Sequence, residues 1–163
     1  MKTNNNALFQ WPTCRFGDYL PKLTSTVGKM FTNGDGEMTT TIAICVQKGG
    51  TGKTTATLQL SDALARMKRR VLVIDLDPQS NASTVLSRVS PSLLANTTKE
   101  LLLDPDTSVA DCIQESQFEG VDIVCSNIKL ARSEPELIRR NTTILAKRLR
   151  VLEGVYDYIL LDC

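Results

Sequence analysis

Residues 48–55 of this 163-residue chain read KGGTGKTT, a glycine-rich run that can wrap around phosphate groups. Glycine lets the backbone pass close to phosphate oxygens and turn its N–H groups towards them. Lys53 is placed to meet the β- and γ-phosphates of a nucleotide, and the Thr54 hydroxyl is placed to bind Mg²⁺. We therefore predict a nucleotide-binding loop made of Lys48, Gly49, Gly50, Thr51, Gly52, Lys53, Thr54 and Thr55.

The segments around this loop predict the order of strand, loop, helix and strand that such loops require. Residues 41–46 and 71–74 are short apolar runs rich in β-branched side chains, as expected of buried parallel strands. A helix is expected to begin at Thr54. The side of this helix that should face the sheet follows helical spacing and consists of Leu60, Ala63, Leu64 and Met67.

Three aspartates are expected at the carboxyl ends of strands, where α/β proteins bind their ligands. Asp75 and Asp77 belong to the sequence DLDPQSN that follows the strand at 71–74, and Asp162 ends the last apolar run. The DLDPQSN segment also has a simpler interpretation, an N-cap and turn before a helix that begins at about Ala82. The two interpretations are compatible with each other.

The loop with its two lysines resembles the deviant Walker A loop of the ParA/MinD superfamily. Gln47 stands where the common GxxxxGK[ST] pattern has its first glycine, and the start QKGG is similar to that of the ParA (Soj-like) partition branch. A third predicted strand at 120–125, followed by SNIKLARSE at 126–134, resembles a further segment of ParA proteins. The strand that ends in Asp162 looks like the Walker B strand of the family.

The resemblance implies a role for each matching residue. Lys48 would reach the nucleotide of the partner in an ATP-sandwiched dimer, and Asp77 would help to position the attacking water, so these two residues are the predicted catalytic pair. Thr54, Asp75 and Asp162 are predicted to hold Mg²⁺, the two aspartates through water molecules. The implied ligands are ATP and Mg²⁺.

The implied fold is α/β, a parallel sheet with helices on both faces and its strands in the spatial order third, second, fourth, first. The implied function is that of a cytoplasmic, nucleoid-associated ATPase that hydrolyses MgATP during plasmid or chromosome partitioning. Its implied partners are a second copy of itself in an ATP-dependent homodimer, a ParB-like protein and nonspecific DNA, with no membrane. The main DNA-binding surface of the family lies beyond its Walker B strand.

The resemblance covers residues 38–163, the N-terminal part of such an ATPase domain, and the sequence stops just after the Walker B strand. We therefore expect the 163-residue chain by itself to be inactive. Two alternatives stay open: a non-catalytic remnant of such an ATPase, and a MinD-like regulator, against which Gln47 and the pair Pro78-Gln79 argue. Residues 1–37 carry no family motif and are expected to be a disordered or mis-started extension, or a short docking segment.

Composition excludes several kinds of site. The chain has no histidine, which excludes imidazole acid–base chemistry, and its five cysteines lack CxxC spacing, a pattern typical of free thiols in a reducing compartment. The net charge of +1 gives no global attraction to nucleic acid. No apolar run approaches the length of a transmembrane helix.

A helix is also predicted at 136–152, with Ile138, Leu145, Leu149 and Leu152 as its buried side. Much of its remaining surface is basic, which allows a solvated helix face or a contact with DNA phosphates. We prefer the solvated face. The basic residues are Arg139, Arg140, Lys147, Arg148 and Arg150.

Overall fold

The computed structural model describes residues 39–45, 50, 52–139 and 143–163. Three of the predicted loop residues, Lys48, Gly49 and Thr51, lie outside this part of the chain, as does the extension at 1–37. What the sequence predicts for them stays a prediction. In the described ranges, no helix is both long enough and apolar enough to cross a membrane.

Five strands form one sheet through the described chain. They are β1 (Thr40–Ile44), β2 (Val71–Asp75), β3 (Ile113–Glu115), β4 (Val121–Val124) and β5 (Tyr158–Asp162). Their spatial order is β1-β5-β2-β4-β3. The first four strands in this order pair in parallel, which confirms the predicted arrangement, and β3 adds an antiparallel edge that the sequence did not predict.

Seven α-helices and two short 3₁₀-helices occupy the described connections. The α-helices are α1 (Lys53–Arg66), α2 (Asn81–Leu86), α3 (Thr98–Leu103), α4 (Val109–Cys112), α5 (Lys129–Arg132), α6 (Glu134–Arg139) and α7 (Ile144–Leu149). The 3₁₀-helices are Pro91–Leu93 and Arg150–Leu152. The strand–loop–helix–strand unit predicted around the loop is therefore β1, α1 and β2.

Helices cover both faces of the sheet, which confirms the predicted α/β architecture. On one face, α1 and α2 contribute Leu64 and Leu86 to a core shared with the strands. On the other face, Leu101, Cys112 and Leu149 join the core from α3, α4 and α7. Every residue of β2 is buried, because this strand lies in the middle of the sheet with helices above and below it.

Helix α1 turns only part of the predicted side to the sheet. Of the four predicted residues, Leu64 is buried and Leu60 half-buried, whereas Ala63 and Met67 are exposed, Met67 by 68%. The positions that lose all solvent contact are instead Thr57 and Ser61. Apolar spacing missed them because a hydroxyl group can be buried once its hydrogen bond is made within the protein.

The structure divides the helix predicted at 136–152 among α6, α7 and the following 3₁₀-helix. Leu145, Leu149 and Leu152 are buried, as predicted. Among the basic residues of this stretch, the Arg148 guanidinium donates hydrogen bonds to the carbonyl oxygens of Asp104 and Thr107 at 2.5 and 2.8 Å. Arg148 therefore ties α7 to the connection between α3 and α4.

Candidate nucleotide site

Two glycines at the end of the predicted loop hold left-handed backbone conformations. The φ angles are 72° at Gly50 and 82° at Gly52. A Cβ on either residue would touch no atom within 4 Å in the described chain, so conformation rather than space favours glycine here. Helix α1 begins directly after Gly52. The N–H groups of a first helical turn have no helical partners and favour anions, so this end of α1 suits a phosphate group.

The Asp162 carboxylate is held by two hydroxyl groups of α1. The Thr54 Oγ1 atom donates to Asp162 Oδ2 at 2.9 Å, and the Thr57 Oγ1 atom donates to Asp162 Oδ1 at 2.9 Å. The structure thus brings together two of the three residues that were predicted to hold Mg²⁺. Thr57 was missed by the sequence analysis, although its place three residues after Thr54 puts both hydroxyls on one side of a helix.

The surroundings of Asp162 raise the pKa of its carboxyl group overall. Burial raises the pKa of this carboxyl group, while the hydrogen bonds from Thr54 and Thr57 lower it. Asp77 raises the pKa further by charge repulsion, and the ammonium group of Lys53 lowers it. Residues from three distant parts of the sequence, 53–54, 77 and 162, therefore share one electrostatic environment at the carboxyl ends of the strands.

Asp75, the third predicted magnesium residue, lies beside Asp162 in the register of β2 and β5. Its side chain is completely buried. Its carboxylate accepts hydrogen bonds from the backbone N–H of Asp77 at 3.0 Å and from the N–H and hydroxyl of Ser83 at 2.8 and 2.6 Å. Burial raises the pKa of Asp75 to about 7, against the effect of the Ser83 hydrogen bonds.

Asp77 lies just past the end of β2 and is half-buried. Its carboxylate accepts a hydrogen bond from the N–H of Gln79 at 2.8 Å, and its carbonyl oxygen accepts one from the N–H of Ser80. Ser80 has a left-handed backbone with a φ of 52°. These contacts confirm the predicted turn in the DLDPQSN segment, whereas the predicted N-cap is not found, because the Ser80 side chain makes no capping hydrogen bond to α2. The Asp77 side chain lies at the edge of the site.

The segment after β4 meets the same edge of the sheet. The N–H of Ser126 donates to Ser83 Oγ at 2.8 Å, and the Asn127 Oδ1 atom accepts from the N–H of Lys129 at 2.9 Å, just where α5 begins. The side chains of Ser126 and Asn127 are both buried. The start of the predicted ParA-like segment at 126–134 therefore contacts α2, the helix that follows the turn with Asp77.

The residues at this edge fit a magnesium ion bound together with phosphates. The Thr54 hydroxyl and the Asp162 carboxylate are hard oxygen donors, the kind that Mg²⁺ prefers. No group of three or more His, Cys, Asp or Glu side chains converges as a metal cage among the described residues. A magnesium ion that bridges nucleotide phosphates needs only one or two protein ligands and otherwise keeps water.

An open cavity of about 1060 Å³ lies at the opposite, amino ends of the strands. It is lined by residues of the end of α1 and the starts of β2 and β4, among them Arg66, Arg69, Val71 and Gly120. Because the predicted loop and the three aspartates lie at the carboxyl ends, this cavity is separate from the candidate site.

Comparison with known proteins places the chain beside nucleotide-binding relatives. A family model described as an AAA domain matches residues 39–163. The sporulation initiation inhibitor protein Soj of Bacillus subtilis is 37% identical over 124 residues, which are 75% of this chain and 48% of Soj. The chain therefore spans about half the length of this relative.

Two solved structures share the fold. Cobyrinic acid a,c-diamide synthase from Mycobacterium smegmatis, solved with ADP and magnesium, is 34% identical with a TM-score of 0.72, over 77% of this chain and 51% of that one. The septum site-determining protein MinD of Pyrococcus horikoshii, solved with Mg-ADP, is 36% identical with a TM-score of 0.61, over 77% and 49% of the two chains. Both neighbours thus carry a nucleotide and magnesium.

Proposed function

The chain belongs to the ParA/MinD-like P-loop ATPases, since the AAA domain model matches residues 39–163. On that premise we propose that it serves as a ParA-like ATPase in plasmid or chromosome partitioning. The observation that carries the proposal is the pair of hydrogen bonds from Thr54 and Thr57 to Asp162 at the start of α1. They join the phosphate loop to the Walker B strand.

Each residue of the site has a part in the proposed reaction, which is attack of water on the γ-phosphate of ATP. Lys53 and the first turn of α1 bind the β- and γ-phosphates, and Thr54 and Asp162 hold Mg²⁺, which neutralises charge on the phosphates when bound. Asp77, half-buried at the edge of the site, orients the attacking water. Lys48 reaches the nucleotide of the partner subunit, where an added cation stabilises the transition state.

The proposal includes the assembly that this chemistry serves. The protein forms an ATP-dependent homodimer, binds DNA without sequence preference on the nucleoid, and is stimulated by a ParB-like partner. The ParA-like residues Gln47 and Pro78-Gln79 support the partitioning branch over a MinD-like regulator. Nonspecific DNA binding would act through phosphate contacts and weaken with salt.

Nucleotide binding to the full-length gene product tests the proposal. Lys53→Ala should abolish measurable binding of labelled ATP in the presence of Mg²⁺, because it removes the ammonium group fixed beside the β- and γ-phosphates. Lys68→Ala is the matched control, since Lys68 lies just past the other end of α1 and should leave binding unchanged.

Equal affinity for ATP in the Lys53→Ala variant and the parent would remove the phosphate-loop assignment. A parent protein that binds no MgATP would overturn the proposed function and favour the non-catalytic remnant. ATP binding without hydrolysis, even with DNA and a ParB-like partner added, would reduce the proposal to nucleotide binding.

A further inference from the structure

We propose that Asp75 is a positioning residue that fixes the backbone carrying Asp77, rather than a member of the magnesium shell. This inference rests on the proposed function, because it assigns the role of one residue in that reaction. It departs from the role that family resemblance implies for Asp75, and its basis is the set of contacts that the carboxylate makes.

Both oxygens of the Asp75 carboxylate are engaged by donors from the protein. Oδ1 accepts from the N–H of Asp77 at 3.0 Å, and Oδ2 accepts from the N–H and the hydroxyl of Ser83 at 2.8 and 2.6 Å. A carboxylate offers about four acceptor positions, so three of them are used within the protein. The residue exposes no surface to solvent, which leaves no access for the water molecules of a magnesium shell.

The three hydrogen bonds connect both ends of the segment 77–83 to the Asp75 side chain. The segment begins at Asp77, two residues after the end of β2, and turns through Gln79 and Ser80 into α2. Within α2, Ser83 donates hydrogen bonds to the same carboxylate. Three hydrogen bonds of 2.6–3.0 Å to one buried side chain act together on this short segment. The position of the Asp77 backbone is therefore set by Asp75.

Asp75 is itself held firmly by the sheet and by α3. Its carbonyl oxygen accepts a hydrogen bond from the Thr98 hydroxyl at 2.7 Å, and the next residue, Leu76, donates its N–H to the carbonyl oxygen of Asp162 at 2.7 Å. The pairing of β2 with both of its neighbouring strands holds the Asp75 backbone even without the Thr98 contact, so the carboxylate can act as a fixed reference for the turn that it binds.

The contacts of Ser83 extend the arrangement to β4. The Ser83 hydroxyl accepts from the N–H of Ser126 at 2.8 Å, so its single proton is directed at Asp75. Asp75 thereby locks α2 to the end of β4 as well as to the turn. The Asp162 carboxylate differs in kind, because its donors are two side chains of α1, which begins at the phosphate loop.

The test compares the dependence of ATP hydrolysis on ATP and on Mg²⁺ in the full-length gene product. Asp75→Asn keeps the shape of the side chain but replaces one acceptor oxygen with a donor that faces an N–H group. We expect kcat to fall roughly 10- to 100-fold, as for a misplaced catalytic group, with the KM for ATP and the half-saturating Mg²⁺ concentration within about twofold of the parent values.

Two further variants separate positioning from general damage to the fold. Thr98→Val removes the hydrogen bond to the Asp75 carbonyl but leaves the carboxylate contacts, so it should lower stability without lowering kcat. Ser83→Ala should reproduce part of the loss in kcat, and Ser83→Thr, which keeps the hydroxyl, should restore it. Ser83→Ala also serves as the test if Asp75→Asn does not fold.

A rise in the half-saturating Mg²⁺ concentration that accounts for the loss of activity in Asp75→Asn would overturn the inference and return Asp75 to the magnesium shell. Amide hydrogen exchange gives a readout that needs no hydrolysis. With the amide of Ile123 in β4 as the internal reference, the amides of Asp77 and Ser83 should exchange faster in Asp75→Asn than in the parent. In Thr98→Val their exchange should match that of the parent. Unchanged exchange at Asp77 would overturn the positioning role, whereas a parent without ATP binding would overturn only the proposed function.

Discussion

Thr57 shows how a single hydroxyl can orient a carboxylate of the site. Its Oγ1 atom lies 2.9 Å from Asp162 Oδ1 and 3.1 Å from the carbonyl oxygen of Lys53, one turn earlier in α1. A hydroxyl has one proton, and the shorter contact is to a charged acceptor, which makes the stronger bond. Thr57 therefore holds the side of Asp162 that Thr54 does not.

We expect Thr57→Val to raise the Mg²⁺ concentration that is needed for half-maximal nucleotide binding. The substitution keeps the volume of the side chain but leaves Asp162 Oδ1 without its donor, and the loss of such an orienting contact typically costs 10- to 100-fold in metal affinity. The free energy of unfolding should fall by about 1–3 kcal/mol, because Asp162 is buried. Titration of ATP binding against Mg²⁺ measures the first effect and urea unfolding the second.

Ser61→Ala is the control for this prediction. Ser61 is buried on the same side of α1 as Thr57, but its hydroxyl bonds only to the carbonyl oxygen of Leu58 among the described contacts. The control should leave the Mg²⁺ dependence unchanged. An unaltered Mg²⁺ dependence in Thr57→Val would mean that Thr54 alone orients Asp162.

At the residue scale, the sequence predicted those site residues that belong to a local pattern. Thr54 follows Lys53 in a phosphate loop, and Asp162 ends an apolar strand, so both can be found without a structure. Thr57 has no such signal, because a threonine inside a helix has many possible partners. Asp75 was found, but its contacts depend on where α2 returns, which no spacing in the sequence encodes.

At the element scale, the buried strands were the most predictable part of the fold. A continuous apolar run such as residues 71–74 has few alternatives to the middle of a parallel sheet. The edge strand β3 has half-buried and exposed residues and no clear alternation, so nothing in its sequence distinguishes it from a connection. Half of the predicted buried side of α1 was wrong, because Thr57 and Ser61, which satisfy their hydrogen bonds internally, are buried instead of Ala63 and Met67.

The start of α3 carries a capping box that should contribute measurably to stability. Glu100 accepts hydrogen bonds from the N–H and the hydroxyl of Thr97 at 3.0 and 2.6 Å. Glu100→Ala should lower the free energy of unfolding by about 1 kcal/mol at pH 7, the usual cost of losing a helix cap. Glu119→Ala, at an exposed position before β4, is the control and should change stability by less than about 0.5 kcal/mol.

The contribution of Glu100 should also depend on pH. Partial burial acts to raise the pKa of Glu100, but the hydrogen bonds from Thr97 outweigh it and hold the pKa below its usual value. A carboxyl group with a lowered pKa in the folded state stabilises the fold above its unfolded pKa, about 4.3, and loses this effect as the pH falls through the folded value. The difference in the free energy of unfolding between the parent and Glu100→Ala, measured in urea, should therefore be smaller at about pH 3 than at pH 7. A difference that persists undiminished at that pH would contradict the assignment.

At the scale of the whole molecule, the sheet of the described chain has two unlike edges. The edge at β3 is short, antiparallel and partly exposed. At the other edge, β1 pairs only with β5 among the described residues, and four of its five residues are half-buried. Ile42 and Ala43 pack against the cores on opposite faces of the sheet, as expected of a strand with further neighbours. The backbone groups on the outer side of β1 are a template for pairing with another strand.

We therefore expect the 163-residue polypeptide, expressed by itself, to self-associate or to be poorly soluble and to show no partner-stimulated ATP hydrolysis. Thr40→Lys places a charge at an exposed position of β1 and should shift the polypeptide towards the monomer, because edge lysines oppose strand pairing. Light scattering after size-exclusion chromatography measures the mass of the species, and phosphate release measures turnover. A monodisperse 18.0 kDa monomer that hydrolyses ATP would contradict this prediction and would mean that residues 1–163 suffice as a minimal enzyme, with β1 stable as an edge strand.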